Sequence, residues 1–225
     1  MKTNLLKILS VFVAAVMLIG CKGSNTPDAP TTDESTIKST SSVNGGGGII
    51  IEAIMKDGTR QYYKVISPSE VGVTSYYAYY ASKGFQEYEY KGKVVIPESI
   101  THDGSTYSVT KVLGQPSEYN DLCSAFSFCK HLKSITLPRT ITEINSIELC
   151  HWNCYERGVL TELEELICYA QEPPVSSNAG PWGPTPVGDY SKVCDISIKV
   201  PAQSVEAYKA ASDWKRFADN ISAIE

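Results

Sequence analysis

Residues 125–144 read AFSFCKHLKSITLPRTITEI. A short strand, Ile135 to Leu137, stops at Pro138, which has no N–H to give to a ladder. Phe126, Cys129, Leu132, Ile135, Leu137, Ile141 and Ile144 form an inward-facing set. Pieces of the stretch recur elsewhere. Ser108-Val109-Thr110-Lys111-Val112 matches Thr140-Ile141-Thr142-Glu143-Ile144 at an offset of 32, and Leu132–Leu137 matches Leu163–Cys168 at an offset of 31. Two blocks displaced by nearly the same amount imply a structural repeat of that length, the signature of a solenoid. Further short strands are expected at Val94–Ile96, Leu166–Cys168 and Ile198–Val200, with Pro97 and Pro201 ending the first and last. Stacking them makes three or four rungs of a parallel sheet, with Leu163, Leu166 and Cys154 adding to the repeat core.

The 125–144 unit closely resembles the BspA-like leucine-rich repeat, with its AFxxCxxLxxIxLPxxVTxI pattern. Residues 88–112 look like the segment that leads into such arrays, and 200–209 with Trp214-Lys215 look like the segment that closes them. The resemblance covers roughly 88–217. It departs at Leu149-Cys150-His151-Trp152-Asn153-Cys154, where Ala-Phe is expected, and at an insertion around 155–161. It implies a mostly β chain with little helix: a short α/β leucine-rich-repeat solenoid, closed by a short C-terminal helix over 203–212 with Val205 and Tyr208 on one face.

Ahead of the repeats, Ile49–Lys56, Thr59–Ser67 and Val71–Ala81 read as strands of an antiparallel β-meander over 49–92, followed by Phe85–Tyr90. Asp57-Gly58 is a two-residue hairpin signal. Lys93–Thr101 and Ser105–Val112 read as two more strands joined at His102-Asp103-Gly104, within a repeat body of 93–225. Residues 22–48 are rich in Ser, Thr, Pro, Asp and Gly, too poor in apolar surface to offset the entropy of ordering. They are expected to form a flexible tether. The Gly45–Gly48 run is no phosphate loop, since no GK[ST] comes after it.

Residues 1–20 carry Lys2, Lys7 and an apolar run of 12 residues. A spanning helix needs about 20, so the run reads as a secretory signal. Leu18-Ile19-Gly20-Cys21 resembles the lipobox of bacterial lipoproteins. The resemblance implies acylation of the Cys21 thiol, membrane attachment through that lipid and, with Lys22 next, outer-membrane sorting. The periplasmic and exterior faces stay equally open. Losing the signal takes the formal net charge from −5 to −7. An acidic chain without clustered Lys and Arg is a poor nucleic-acid binder.

Of seven cysteines, Cys21 is the odd one. Cys129, Cys154 and Cys168 read as buried core thiols, while Cys123, Cys150 and Cys194 leave the disulfide pattern open. Cys150-His151-xx-Cys154 lacks the second ligand pair that zinc needs. No nucleophile, metalloprotease or nucleotide signature is present, so neither catalysis nor a cofactor is expected. Eight of fourteen tyrosines lie between 62 and 90. Tyr76, Tyr77, Tyr79 and Tyr80 are candidates for an exposed platform for sugars or a protein partner, although tyrosine is also an ordinary strand residue. Trp182, in a Pro- and Gly-rich loop, either contacts a ligand or covers the solenoid edge. The expectation is a monomeric, non-catalytic envelope lipoprotein that binds a protein in adhesion, with glycan binding through the meander tyrosines as the alternative.

Overall fold

The computed structural model describes residues 37–45, 48–75, 90–116, 122–126, 129, 131–145, 162–176 and 196–225. Within them the chain is mostly strand, with one short α-helix. The strands β1 (Ile37–Gly45), β2 (Gly48–Met55), β3 (Arg60–Ser67) and β4 (Glu70–Thr74) form an antiparallel meander. Ile51, Tyr63 and Val73 lie side by side across β2, β3 and β4, all fully buried. Alternation therefore turns one apolar row toward the core, as a pleated strand with period two requires.

Two details of the meander differ from expectation. The Asp57-Gly58 turn spans three residues rather than two: Met55 N–H donates to Thr59 O at 2.8 Å and Gly58 N–H to Met55 O at 3.0 Å. Gly58 takes φ 86°, the left-handed residue that closes a three-residue loop. The Asp57 carboxylate accepts from Thr59 Oγ1 and Thr59 N at 2.7 and 2.8 Å, which lowers its pKa. The second difference corrects the tether. Residues 37–45, expected to be flexible, pair with β2 from Ile37 opposite Met55 to Gly45 opposite Gly48. Ladder bonds use backbone groups that every residue but proline carries in full, so a polar strand joins a sheet without an apolar pattern to announce it. The remainder of the tether, at 22–36 and 46–47, lies outside the described residues, as do the signal segment and residues 85–89.

The expected strand Lys93–Thr101 is two strands in two sheets, β5 (Gly92–Val95) and β6 (Ser99–His102), separated by Ile96-Pro97-Glu98. Pro97 has no N–H, and the ladder changes partners there. A two-residue turn, Asp103 at φ 48° and Gly104 at φ 77°, joins β6 to β7 (Ser105–Val112). The meander and the segment after residue 92 share one sheet, because β4 pairs in parallel with β7. This first sheet continues through β11 (Glu143–Ile144) and β13 (Val175–Ser176), in the order β1-β2-β3-β4-β7-β11-β13 with β6 on β7. Lys111 pairs with Glu143 and Glu143 with Val175, both in parallel register. The offset of 32 between 108–112 and 140–144 is thus a sheet register, reinforced by Thr142 Oγ1 donating to Thr110 O. A separate small hairpin joins β8 (Gly114–Pro116) and β9 (Leu122–Ser124).

The second sheet is parallel: β15 (Ile221–Ala223), β14 (Ser197–Val200), β12 (Glu165–Cys168), β10 (Leu132–Leu137) and β5. Val94, Ile135, Leu166, Ile198 and Ile221 stand in one register row across it. All five are buried, and they belong to one apolar core shared with the first sheet. The sheet has five strands rather than three or four, because Ile221–Ala223 adds an edge strand too short to recognise from sequence. The helix is α1 (Val205–Ala210), shorter than the expected 203–212 and preceded by a 3₁₀ turn at Ala202–Ser204. Tyr208 anchors it, fully buried, packing edge-on against Trp214 at 5.0 Å and donating to Ala170 O at 2.8 Å. Trp214 Nε1 donates to Pro174 O at 2.9 Å.

Candidate binding face of the parallel sheet

The strands that bury Val94, Ile135, Leu166 and Ile198 turn the intervening residues to the opposite face. Lys93, Ser134, Glu165 and Ser197 form one row there in register. Val95, Thr136, Ile167, Lys199 and Ser222 form the next. Lys93 and Ser222 are exposed, and Val95, Glu165, Ile167, Ser197 and Lys199 are half-buried. Tyr169, which comes after the buried Cys168, is half-buried, and that partial burial raises its phenol pKa. Its hydroxyl is able both to donate and to accept.

Parallel sheets are normally covered by apolar layers on both faces. This one sets an apolar face against a mixed one. Glu165 accepts from Ser134 Oγ at 3.5 Å and lies 3.8 Å from Lys199 Nζ. Such a contact between half-exposed groups is weak, so both charges are available to a ligand. The combination of hydroxyls, an amine, a carboxylate, a phenol and the aliphatic Val95 and Ile167 is chemistry for recognition.

The repeat-core residues Phe126, Cys129, Leu132, Ile135, Leu137, Ile141, Ile144, Leu163 and Leu166 are all buried; Cys154 lies outside the described residues. Cys129 and Cys168 are free thiols. Burial pushes the Cys168 thiol pKa up, against a hydrogen bond from Tyr208. The candidate contact residues Tyr76, Tyr77, Tyr79, Tyr80 and Trp182, and the lipid-attachment residue Cys21, also lie outside the described residues. Three other members of the tyrosine group belong to the core. Tyr90 OH donates to Thr74 O at 2.8 Å and accepts from Tyr62 N at 3.1 Å, while Tyr63 OH donates to Gln61 Oε1. Burial raises the pKa of Tyr63 and Tyr90. Gln61 in turn donates to Val95 O at 2.9 Å, tying the two sheets together. Among the described residues no group of three or more His, Cys, Asp or Glu side chains is placed to hold a metal ion, and no helix is long and apolar enough to cross a membrane.

Sequence reasoning passed over Ile167, Tyr169 and Lys199. Their signal is the alternation of Ile167 and Tyr169 with Leu166 and Cys168, and of Lys199 with Ile198 and Val200, which marks them as outward positions once the strands are placed. No family model matches the chain, and no curated protein matches it. Among solved structures it is similar to the crystal structure of the pneumococcal vaccine antigen PcpA, at 14% identity and a TM-score of 0.28. The match covers 84% of this chain and 38% of PcpA, so the chain spans well under half of that protein. A superposition this loose assigns neither fold nor role.

Proposed function

We propose that this chain is a non-catalytic lipoprotein of the bacterial cell envelope, attached to the outer membrane through Cys21, that binds a protein partner in adhesion. The body is read as a short BspA-like leucine-rich-repeat array, supported by the 125–144 motif and by register offsets of 31 and 32 between strands. The observation that carries the reading is the two-faced parallel sheet, with an apolar row inside and the half-buried Glu165, Ile167, Tyr169 and Lys199 on the other face. Stacked repeats place such rows side by side and build an extended surface, which is how repeat proteins bind partners. Half-buried aliphatic and tyrosine side chains among polar ones suit a protein interface, where a few anchors carry most of the energy.

The test is binding of the purified chain to parallel panels of immobilised proteins and glycans, joined to protease treatment of intact cells. The proposal expects saturable binding on the protein panel and loss of the chain from shaved cells. Binding confined to the glycan panel, or a chain fully protected on intact cells, overturns it.

A further inference from the structure

Apart from the binding face, β1 stands out because its described side chains, at 37–42, contribute little to the fold it joins. Lys38, Ser39, Ser41 and Ser42 are exposed, and Ile37 is the partly buried apolar residue packed against the core. A strand of this kind gains little from apolar burial to set against the ordering of nine residues. Beyond its ladder with β2, it is held by a cluster on the β6–β7 hairpin. His102 is 7% exposed. Its Nδ1 lies 3.0 Å from Thr40 Oγ1 and its Nε2 2.6 Å from Ser42 Oγ. Thr40 Oγ1 donates to Thr101 O at 3.3 Å, so its lone pairs are left for Nδ1–H. Nε2 faces the Ser42 hydroxyl and has Asp103 Oδ2 3.3 Å away on the solvent side. The imidazole thus grips two side chains of the same strand, two residues apart.

Beneath β1 the structure does not depend on it in the same way. β2 is also paired with β3 along Ile50–Ile54, and its buried residues Ile51, Ala53 and Met55 belong to the shared core. Regions with few buried apolar contacts open locally at a lower free energy than the core they lean on.

We infer that β1 is a releasable strap, with His102 as its catch, that opens while the remaining sheet stays folded. Opening returns nine residues to the chain preceding the body and lengthens its reach by about 30 Å. It also leaves β2 with a free edge, able to accept another extended segment. The strap therefore sets how far the body stands from whatever the upstream chain is attached to, independently of what the binding face recognises.

Native-state trypsin cleavage tests this, because a strand must open before it is cut. Lys38 lies in β1 and Lys64 in the interior strand β3. The inference expects cleavage after Lys38 at least about tenfold faster than after Lys64. His102→Ala should speed the Lys38 cut about tenfold further through its lost hydrogen bonds. Thr40→Val combined with Ser42→Ala removes the same bonds from the strap's side. That double variant decides the matter if His102→Ala loses its cooperative thermal transition. Equal rates at the two lysines would show that β1 opens only with the whole body, and a Lys38 cut no faster in the double variant would show that His102 does not hold it; either result overturns the inference.

Discussion

Replacing Ile135 by alanine interrogates the parallel register directly. Ile135 is fully buried on the central strand β10, between Val94 and Leu166. The change removes three methyl or methylene groups, worth about 0.8 kcal/mol each in transfer, or about 2.4 kcal/mol. The unfilled cavity between neighbouring strands adds to this, giving about 3–4 kcal/mol in all. Ser222→Ala, on the exposed side of β15, should cost less than about 0.5 kcal/mol. Urea unfolding gives both values, provided the slope with denaturant is unchanged. Register is resolved by double-mutant cycles built on the milder Ile135→Val. Combined with Leu166→Ala, its direct neighbour, it should show a coupling of at least about 0.5 kcal/mol. Combined with Ile221→Ala, three strands and about 14 Å away, it should be additive. A cost below about 1 kcal/mol for Ile135→Ala, or equal coupling to Leu166 and Ile221, would refute the ladder.

Particular contacts carry further expectations. A Cβ on Gly72 would sit 2.5 Å from Leu113 Cγ, so Gly72→Ala should destabilise by about 1–3 kcal/mol, and adding Leu113→Ala should recover part of the loss in the same urea assay. Stability should fall at alkaline pH. Burial raises the folded-state pKa of Tyr63, Tyr90, Tyr208 and Cys168. Their contribution is therefore complete below the unfolded values, about 8.5 for cysteine and 10 for tyrosine, and is lost as pH rises from those values through the folded ones. Thermal midpoints measured from pH 7 to 11 check the direction, and a midpoint that rises across that span would contradict it. Cys129 and Cys168, both buried and free, should resist alkylation in the native protein and react in urea, as read peptide by peptide by mass spectrometry.

The parallel strands were legible because their signal is carried by side chains. Leu132–Leu137 and Leu163–Cys168 repeat an apolar pattern, and that offset reappears as Ile135 beside Leu166. The 108–112 and 140–144 match likewise reappears as Lys111 beside Glu143, joined by an ion pair at 2.5 Å. β1 was not legible, since its hydroxyl and lysine side chains face water and its attachment is a backbone ladder plus His102. β15 was missed for its brevity, and the division of Lys93–Thr101 needed more weight on Pro97. The tyrosine count drew attention to residues 62–90, yet Tyr62, Tyr63 and Tyr90 are turned inward, because composition carries no facing. Ile167, Tyr169 and Lys199 became visible as a surface only after neighbouring strands were aligned, since a binding face is a property of register across the chain rather than of any local motif.

The central claim is that the mixed face of the parallel sheet does the binding. It is tested most directly by titrating a protein ligand from the panel against Ile167→Glu and against Thr106→Glu, with Thr106 exposed on β7 of the other sheet. Burying an unpaired carboxylate in the interface should weaken Ile167→Glu at least about tenfold, while Thr106→Glu binds as the unaltered chain does. Unchanged affinity for Ile167→Glu, or an equal loss in both variants, would contradict the account.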